Sequence, residues 1–446
     1  MFEAKNKTGL VFFPAFDWAI SPTHPEREER LLYTQDQVME EGIFDIPGIV
    51  ELKPDLVTIK DIQRVHFCVP DPWQVTTESH FISAGGAKTV GMAVMDGQVQ
   101  RGFALVRPPG HHAMRVVHGN RGFCNINIEA IMIEYLRAAY GIRRVAIVDT
   151  DCHHGDGTQD IYWHDPDTLF ISIHQDGRTL YPGTGFTHEA GGPTAYGTTV
   201  NIPLPPNTSD EGVLYAVEHI VRPILDDFKP DIVVNSAGQD NHYSDPITNM
   251  NFSAQGYARL TELLAADIAV LEGGYAIEGA LPYVNLAIIL AMAGLDYGAV
   301  REPDFDPERI RQKPAVTAYI KDLGGRILEN WQRRDLLRQM ACQDKTVAER
   351  ERDIYYDTDQ IMEHQKERLV VCPDCAGALR IDSAAGNGAR VLCVHIPSHA
   401  CPSCREKGDA WFEGADKNKY DRVFLQDRPN DLFREKKQKL ETGDRF

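Results

Sequence analysis

The chain has 446 residues, 43% of them hydrophobic and 25% charged, the composition of a soluble globular protein long enough for more than one domain. A formal charge of -19 disfavours a general nucleic-acid or membrane surface, since phosphates select a basic face. No apolar run approaches the roughly 20 residues that span a bilayer, and the first residues show no charged-then-apolar leader pattern.

In chain order, residues 103–106 read as a buried strand, residues 126–140 as a helix stopped by Gly141, and residues 145–148 as the next strand. Further apolar runs with β-branched content follow at 169–173, 232–234 and 268–271. Continuous apolar runs separated by helices predict a parallel sheet covered on both faces. Four polar clusters each follow the C-terminal end of such a run, where open α/β sheets bind ligands. They are Pro108-Pro109-Gly110-His111-His112, residues 149–156, Gly238-Gln239-Asp240 and Gly273-Gly274-Tyr275.

The pattern changes after residue 300. Charged, helix-prone sequence with apolar positions at Ile320, Leu323, Ile327, Leu328, Trp331, Leu336 and Leu337 predicts a helical extension over 301–369, broken at Gly324-Gly325. A small cysteine-bearing module is expected at 370–414 and a charged tail at 415–446, beside a first domain over 1–300.

Asp149, Asp151 and His153 alternate after a strand, so an extended backbone points all three to one side. Asp151 and His153 could then ligate one metal, with Asp240 as third ligand and Asp149 free to orient a neighbour. Three protein ligands with an open position is the pattern of a catalytic zinc. The oxygen-rich set also suits Fe(II), Co(II) or Mn(II). Taken alone, the cluster is equally an Asp-rich loop that caps a helix.

His111 and His112 follow a turn stiffened by two prolines. Hydrolysis needs a base for the attacking water and an acid for the leaving group, and imidazoles serve both near neutral pH. Asp149 and Asp156 could each back one ring. Tyr275 follows a Gly-Gly turn and offers a phenol to an oxyanion. Each feature alone also fits packed core residues, but the set together describes metal-assisted hydrolysis of an amide.

Four of the nine cysteines form Cys372-Pro373-Asp374-Cys375 and Cys401-Pro402-Ser403-Cys404. Two such knuckles predict a structural zinc ribbon, and this cysteine usage fits a reducing, cytoplasmic setting. The ribbon could dock a protein partner, and its mixed charge carries no nucleic-acid footprint.

These residues resemble the histone deacetylase superfamily, which includes acetylpolyamine amidohydrolases and acetoin-utilization proteins. The resemblance runs from about residue 12 to residue 299. It takes in the stretch from His24 to Arg30, Arg107 to Ala113, Gly122-Phe123-Cys124-Asn125, residues 149–156, Tyr181-Pro182-Gly183-Thr184-Gly185, Gly238-Gln239-Asp240 and Gly273-Gly274-Tyr275. It implies an arginase/deacetylase-like α/β/α sandwich and a catalytic zinc on Asp151, His153 and Asp240. It further implies that His112, backed by Asp156, is the general base, and that His111, backed by Asp149, is its electrostatic partner. Tyr275 would polarise the acyl carbonyl, while Gly122, Phe123 and Tyr181 would line a narrow substrate tunnel. A potassium ion would use Asp149 and Ser172. Ile247 stands where polyamine-selective members carry an acidic residue, and Gln239 where an aromatic is common. The function expected is a zinc-dependent deacylase of an acetylated amine, with Nε-acetyl-lysine in proteins first. A small-molecule acetylpolyamine-type amidohydrolase, an arginase-like binuclear ureohydrolase and a non-enzymatic acyl-lysine binder are the alternatives.

Overall fold

The structure is a computed structural model that describes residues 3–416 and 418–437. Eight strands build the first sheet. They are β1 (Thr8–Phe13), β2 (Ile49–Leu52), β3 (Arg101–Val106), β4 (Val145–Asp149), β5 (Thr168–Gln175), β6 (Thr199–Leu204), β7 (Ile232–Ala237) and β8 (Ile268–Leu271). Their order is β2-β1-β3-β8-β7-β4-β5-β6, and every neighbouring pair is parallel.

The pleat explains the two-sided core. In β3, Phe103 and Leu105 enter one apolar cluster while Ala104 and Val106 enter the other, and β4 divides Ala146 and Val148 from Val145 and Ile147 in the same way. Helices α1 (Glu78–Met95) and α2 (Ile128–Tyr140) cover one face, and α3 (Ala254–Leu264) and α4 (Leu281–Ala293) the other. The sheet is thus a doubly covered α/β/α sandwich. β3 and β4 are consecutive in the chain but separated in the sheet by β8 and β7. That reversal brings the C-terminal ends of four central strands together, the place where such sheets open a ligand crevice.

The C-terminal part corrects three expectations. Helix α5 (Pro314–Gln332) runs unbroken through Gly324-Gly325. Its buried stripe of Ile320, Leu323, Ile327 and Trp331 faces the first domain, and a Cβ on Gly324 would lie 2.9 Å from Ile220, so this glycine permits close packing rather than a kink. After α6 (Arg334–Cys342), the segment read as helical instead forms a long hairpin, β9 (Val347–Tyr356) and β10 (Ile361–Val370). Its inner face is polar along the middle of β10, with Ile354, Tyr356 and Leu369 as its buried apolar positions. Glu363, Gln365 and Glu367 are buried, Arg352 pairs with Asp160, and Arg350 lies 4.3 Å over Trp163. The sequence therefore lacks the apolar alternation that reveals most strands.

The hairpin continues into β11 (Leu379–Ala385), β12 (Arg390–Ile396), helix α7 (Pro402–Glu413), β13 (Arg422–Asp427) and β14 (Leu432–Lys437). These strands form one six-stranded sheet in the order β9-β10-β11-β12-β13-β14. The cysteine module is therefore embedded in a larger β-unit, and much of the expected tail is strand. Residues 438–446 of that tail lie outside the described residues. The β-unit shares a core with the first domain, where Phe67, Val69 and Val116 pack with Leu369, Leu379, Ile381 and Phe424.

Candidate metal centre and active site

β4 ends at Asp149, and the chain then turns instead of remaining extended. Asp149 Oδ1 accepts the N–H of Asp151 at 3.0 Å, and Asp151 Oδ1 accepts that of His153 at 2.8 Å. Aspartates favour such turns because a short carboxylate can bond the backbone two residues on. The turns deliver Asp151 and His153 toward Asp240, which follows β7. His153 Nδ1 lies 2.8 Å from Asp240 Oδ2 and 3.2 Å from Asp151 Oδ1. A Cβ on Gly238 or Gly273 would fall 2.1 or 2.5 Å from Asp151 Oδ2, so only glycine fits at either place. Gly273 N also donates to that oxygen at 2.6 Å, and Cys152 N to Asp240 Oδ1 at 2.7 Å.

These three side chains fit a divalent cation. Both carboxylates are fully buried, and the donor atoms of all three residues lie within 4.8 Å of one another. Separations of 2.8 and 3.2 Å are close to the edge, about 3.3 Å, of a tetrahedron with zinc–oxygen and zinc–nitrogen bonds. Burial, together with the charge of Asp151, pushes Asp240 up to about 6. Burial alone would lower His153, but the facing carboxylates lift it to about 10. A cation among them would offset the repulsion between Asp151 and Asp240 and take the place of the proton that the carboxylates hold on His153.

His111 and His112 lie at the end of β3. Glu272 fixes their turn, since its Oε2 accepts the N–H groups of Gly110 at 2.7 Å and His111 at 3.0 Å. His111 Nδ1 stands 3.0 Å from Asp149 Oδ2, and His112 Nδ1 stands 2.8 Å from Asp156 Oδ1. The two rings are 4.1 Å apart. Their environments differ. Burial opposes the charged form of both, yet Asp151 and Asp149 outweigh it at His111 and hold that ring well above the ordinary imidazole value. At His112 burial and the neighbouring His111 prevail, and the pKa falls to about 3. His112 is therefore neutral at pH 7, with Nδ1–H directed to Asp156 and Nε2 left as an acceptor.

Tyr275 follows β8, buried, with its N–H donated to Asp245 Oδ2 at 2.8 Å. Arg30 holds this segment from behind. Its Nε donates to Gly274 O at 2.8 Å, its guanidinium lies 5.0 Å over the Tyr275 ring, and Glu26 pairs with both Arg30 and Arg107 at 2.8 and 2.7 Å. Burial raises the phenol well above its ordinary pKa although Arg30 opposes it, so Tyr275 stays a proton-bearing donor. The Phe123 ring meets Tyr275 edge-on at 5.7 Å and His24 at 4.3 Å. Tyr181 meets His112 edge-on at 5.2 Å. Gly122 packs against the His112 ring, while Ile247 sits half-buried in the loop after Asp245.

Asp149 and Ser172 are register partners on β4 and β5. The Asp149 carboxylate is already shared between His111 and the Asp151 N–H, and Ser172 Oγ lies 2.8 Å from His174 Nδ1. Each of these oxygens keeps acceptor capacity beyond those bonds, and the pair enters no step below.

Sequence reasoning assigned no role to Glu272, Arg30, Glu26, Asp245 or Arg121. Glu26 and Arg30 stand four residues apart, but extended Arg27 and a short 3-10 turn from Glu28 to Leu31 lie between them, so no regular helix spacing pairs them. Arg121 is buried against Asp156.

The second donor cluster lies in the β-unit. The sulfurs of Cys372, Cys375, Cys401 and Cys404 are within 4.8 Å of one another, and all four are free thiols. Cys372 and Cys401 are 3.7 Å apart, against about 3.8 Å for the edge of a zinc–thiolate tetrahedron. The four thiols fit a zinc ribbon. Cys393 packs elsewhere, in the core shared with the first domain.

A parallel sheet with acid–imidazole chemistry at its central strand ends defines the class of α/β hydrolases built on the arginase/deacetylase sandwich. The histone deacetylase domain model matches residues 72–290. A probable deacetylase of Archaeoglobus fulgidus is 44% identical over 336 residues, spanning 69% of this chain and 92% of the relative. The acetoin utilization protein AcuC of Bacillus subtilis is 31% identical over 69% of this chain and 87% of its own length. The crystal structure of the HDA15 HD domain superposes with a TM-score of 0.64 at 27% identity, covering 77% of this chain and all of that one. The chain belongs to the histone deacetylase family.

Proposed function

We propose that the protein is a zinc-dependent deacylase that hydrolyses the amide of an acylated primary amine, with Nε-acetyl-lysine in proteins as its first substrate and small acetylated amines as its second. The observation that carries this reading is the convergence of Asp151, His153 and Asp240 beside two carboxylate-backed histidines and a buried phenol. A divalent ion held by those three side chains supplies Lewis-acid polarisation of the acyl carbonyl and makes water a stronger acid.

The chain's own residues do the rest. His112, neutral and oriented by Asp156, accepts the proton of the attacking water at Nε2. The Tyr275 hydroxyl donates to the oxygen that gains charge as water adds to the acyl carbon. As the carbon–nitrogen bond breaks, the imidazolium returns a proton to the amine, and carboxylate and free amine leave. Phe123 and Tyr181 flank the aliphatic stem and exclude water. Glu272 and Arg30 hold the histidine turn and the Gly-Gly-Tyr turn in register.

Free thiols at all nine cysteines fit a reducing, cytoplasmic compartment. Among the described residues no helix is long and apolar enough to cross a membrane. An arginase-like ureohydrolase gives the paired histidines and Tyr275 no role, which favours the deacylase reading. The test is hydrolysis of acetyl-lysine peptides and monoacetylated diamines by the purified protein, with hydroxamate inhibition. Activity on neither class would contradict the proposal.

A further inference from the structure

The loop between Ala113 and Gly122 takes its shape from the β-unit. Tyr356 Oη donates to Val116 O at 2.6 Å, and His118 Nε2 stands 2.9 Å from Ser383 Oγ. Asn120 N donates to Asp359 at 2.6 Å, while the Thr358 hydroxyl donates to Asn120 Oδ1 at 2.7 Å. Arg121 donates to the carbonyl of Tyr355. Gly122 N donates to Asp357 Oδ1 at 3.0 Å, and the Tyr181 hydroxyl reaches the same oxygen at 3.3 Å. A Cβ on Gly119 would fall 2.3 Å from Asp359 Oδ2, so the hairpin tip comes as near as a glycine allows. The tip between β9 and β10 thus grips the loop that leads into Gly122 and Phe123.

That loop carries one buried cation toward the chemistry. Arg121 is 8% exposed, its Nε lies 3.1 Å from Asp156 Oδ2, its Nη2 bonds the same oxygen, and its guanidinium sits 5.6 Å over the Tyr181 ring. The other oxygen of Asp156 holds His112 Nδ1 at 2.8 Å. One carboxylate is therefore clamped from both sides. The rigid guanidinium fork suits that task, because it loses little freedom per hydrogen bond formed.

We propose that the C-terminal β-unit is a working part of the catalytic pocket, and that Arg121, held by the Tyr355 carbonyl, is the positioning residue through which the hairpin tip fixes Asp156 and so orients His112. The inference rests on the deacylase reading, in which His112 is the base. It assigns the β-unit a role in turnover rather than in recruiting partners alone. Asp359 stands on the exposed turn, touches the loop and touches neither Asp156 nor His112, so it reports the grip of the tip by itself.

The test is steady-state kinetics of the full-length, metal-loaded protein on an acetyl-lysine peptide, with hydroxamate affinity measured alongside. Arg121→Gln should lower kcat roughly tenfold to a hundredfold, with KM and hydroxamate affinity within about twofold of the parent. Arg121→Lys should recover part of that loss. Asp359→Asn should lower kcat about threefold in the parent and little further when combined with Arg121→Gln, as expected of groups in one chain of contacts. An unchanged kcat in folded Arg121→Gln would overturn the proposal, as would a loss confined to KM or full multiplication of the two effects. If Arg121→Gln does not fold, Asp359→Asn decides alone, and an unchanged kcat counts against the inference. A parent protein with no amide hydrolysis would defeat the deacylase reading, and this inference with it; an active parent with indifferent variants would defeat the inference only.

Discussion

Asp151, His153 and Asp240 are almost completely buried and present two carboxylates and one imidazole, whereas three of the four cysteines in the second cluster are only half-buried. The scaffold assembles the first cluster. Backbone N–H groups of His153, Gly273 and Cys152 already hold the carboxylates, at a cost in repulsion that pushes Asp240 up to about 6 by burial and by the charge of Asp151. The second cluster joins two knuckles at the edge of an apolar cluster that includes Val394, Ile396 and Phe412, with three of its four residues partly exposed, so its geometry depends more on what links the thiols. On the proposed reading, the first arrangement holds a reactive ion with a position to spare and the second closes a fold. Loss of metal should accordingly abolish turnover at the first site and unfold structure at the second.

The comparison breaks most sharply at Asp240. Asp240→Ala should reduce turnover of an acetyl-lysine peptide by more than about a thousandfold while the circular dichroism spectrum stays that of the parent. Tyr275→Phe should lower kcat by about a hundredfold to a thousandfold with little change in KM, since the phenol acts on charge that appears only as water adds. Near-normal turnover in a metal-verified Tyr275→Phe would contradict that assignment. In the other cluster, Cys404→Ser should lower thermal stability by several kcal/mol, seen as an earlier melt of the β-unit. Neither catalytic-site variant should move the melt comparably.

The smallest effect concerns pH. Burial pushes Glu272 up to about 8, with Glu129 adding to the shift and His111 opposing it. The folded state therefore binds this proton more tightly than the unfolded chain. The contribution is fully present below the unfolded carboxylate value near 4.5 and fades as pH rises through about 8. Glu272→Gln should flatten the fall in melting temperature between those limits, and an unchanged slope would show that another group sets it.

The sequence revealed the central sheet and its polar strand ends because apolar runs such as those at 145–148 and 268–271 stop abruptly at Asp, His and Gly. The alternation of Asp149, Asp151 and His153 pointed to one cluster, although turns rather than extended backbone deliver it. The hairpin over residues 347–370 was hidden because Glu363, Gln365 and Glu367 occupy the middle of its buried face, partnered by arginines, serine and histidines, while apolar Ile354, Tyr356 and Leu369 stand only toward the strand ends. Gly324-Gly325 resembled a break because sequence cannot show that Ile220 packs against Gly324. Arg121 and Glu272 act through partners 35 and 161 or more residues away, and no local pattern encodes such pairs.

The measurement that addresses the central claim most directly is the zinc content of purified parent and Asp240→Ala protein, counted per chain beside the four-cysteine site. Two ions in the parent and one in the variant, with the β-unit still folded, is the predicted result. Two ions retained in the variant would mean that Asp151, His153 and Asp240 do not share a metal.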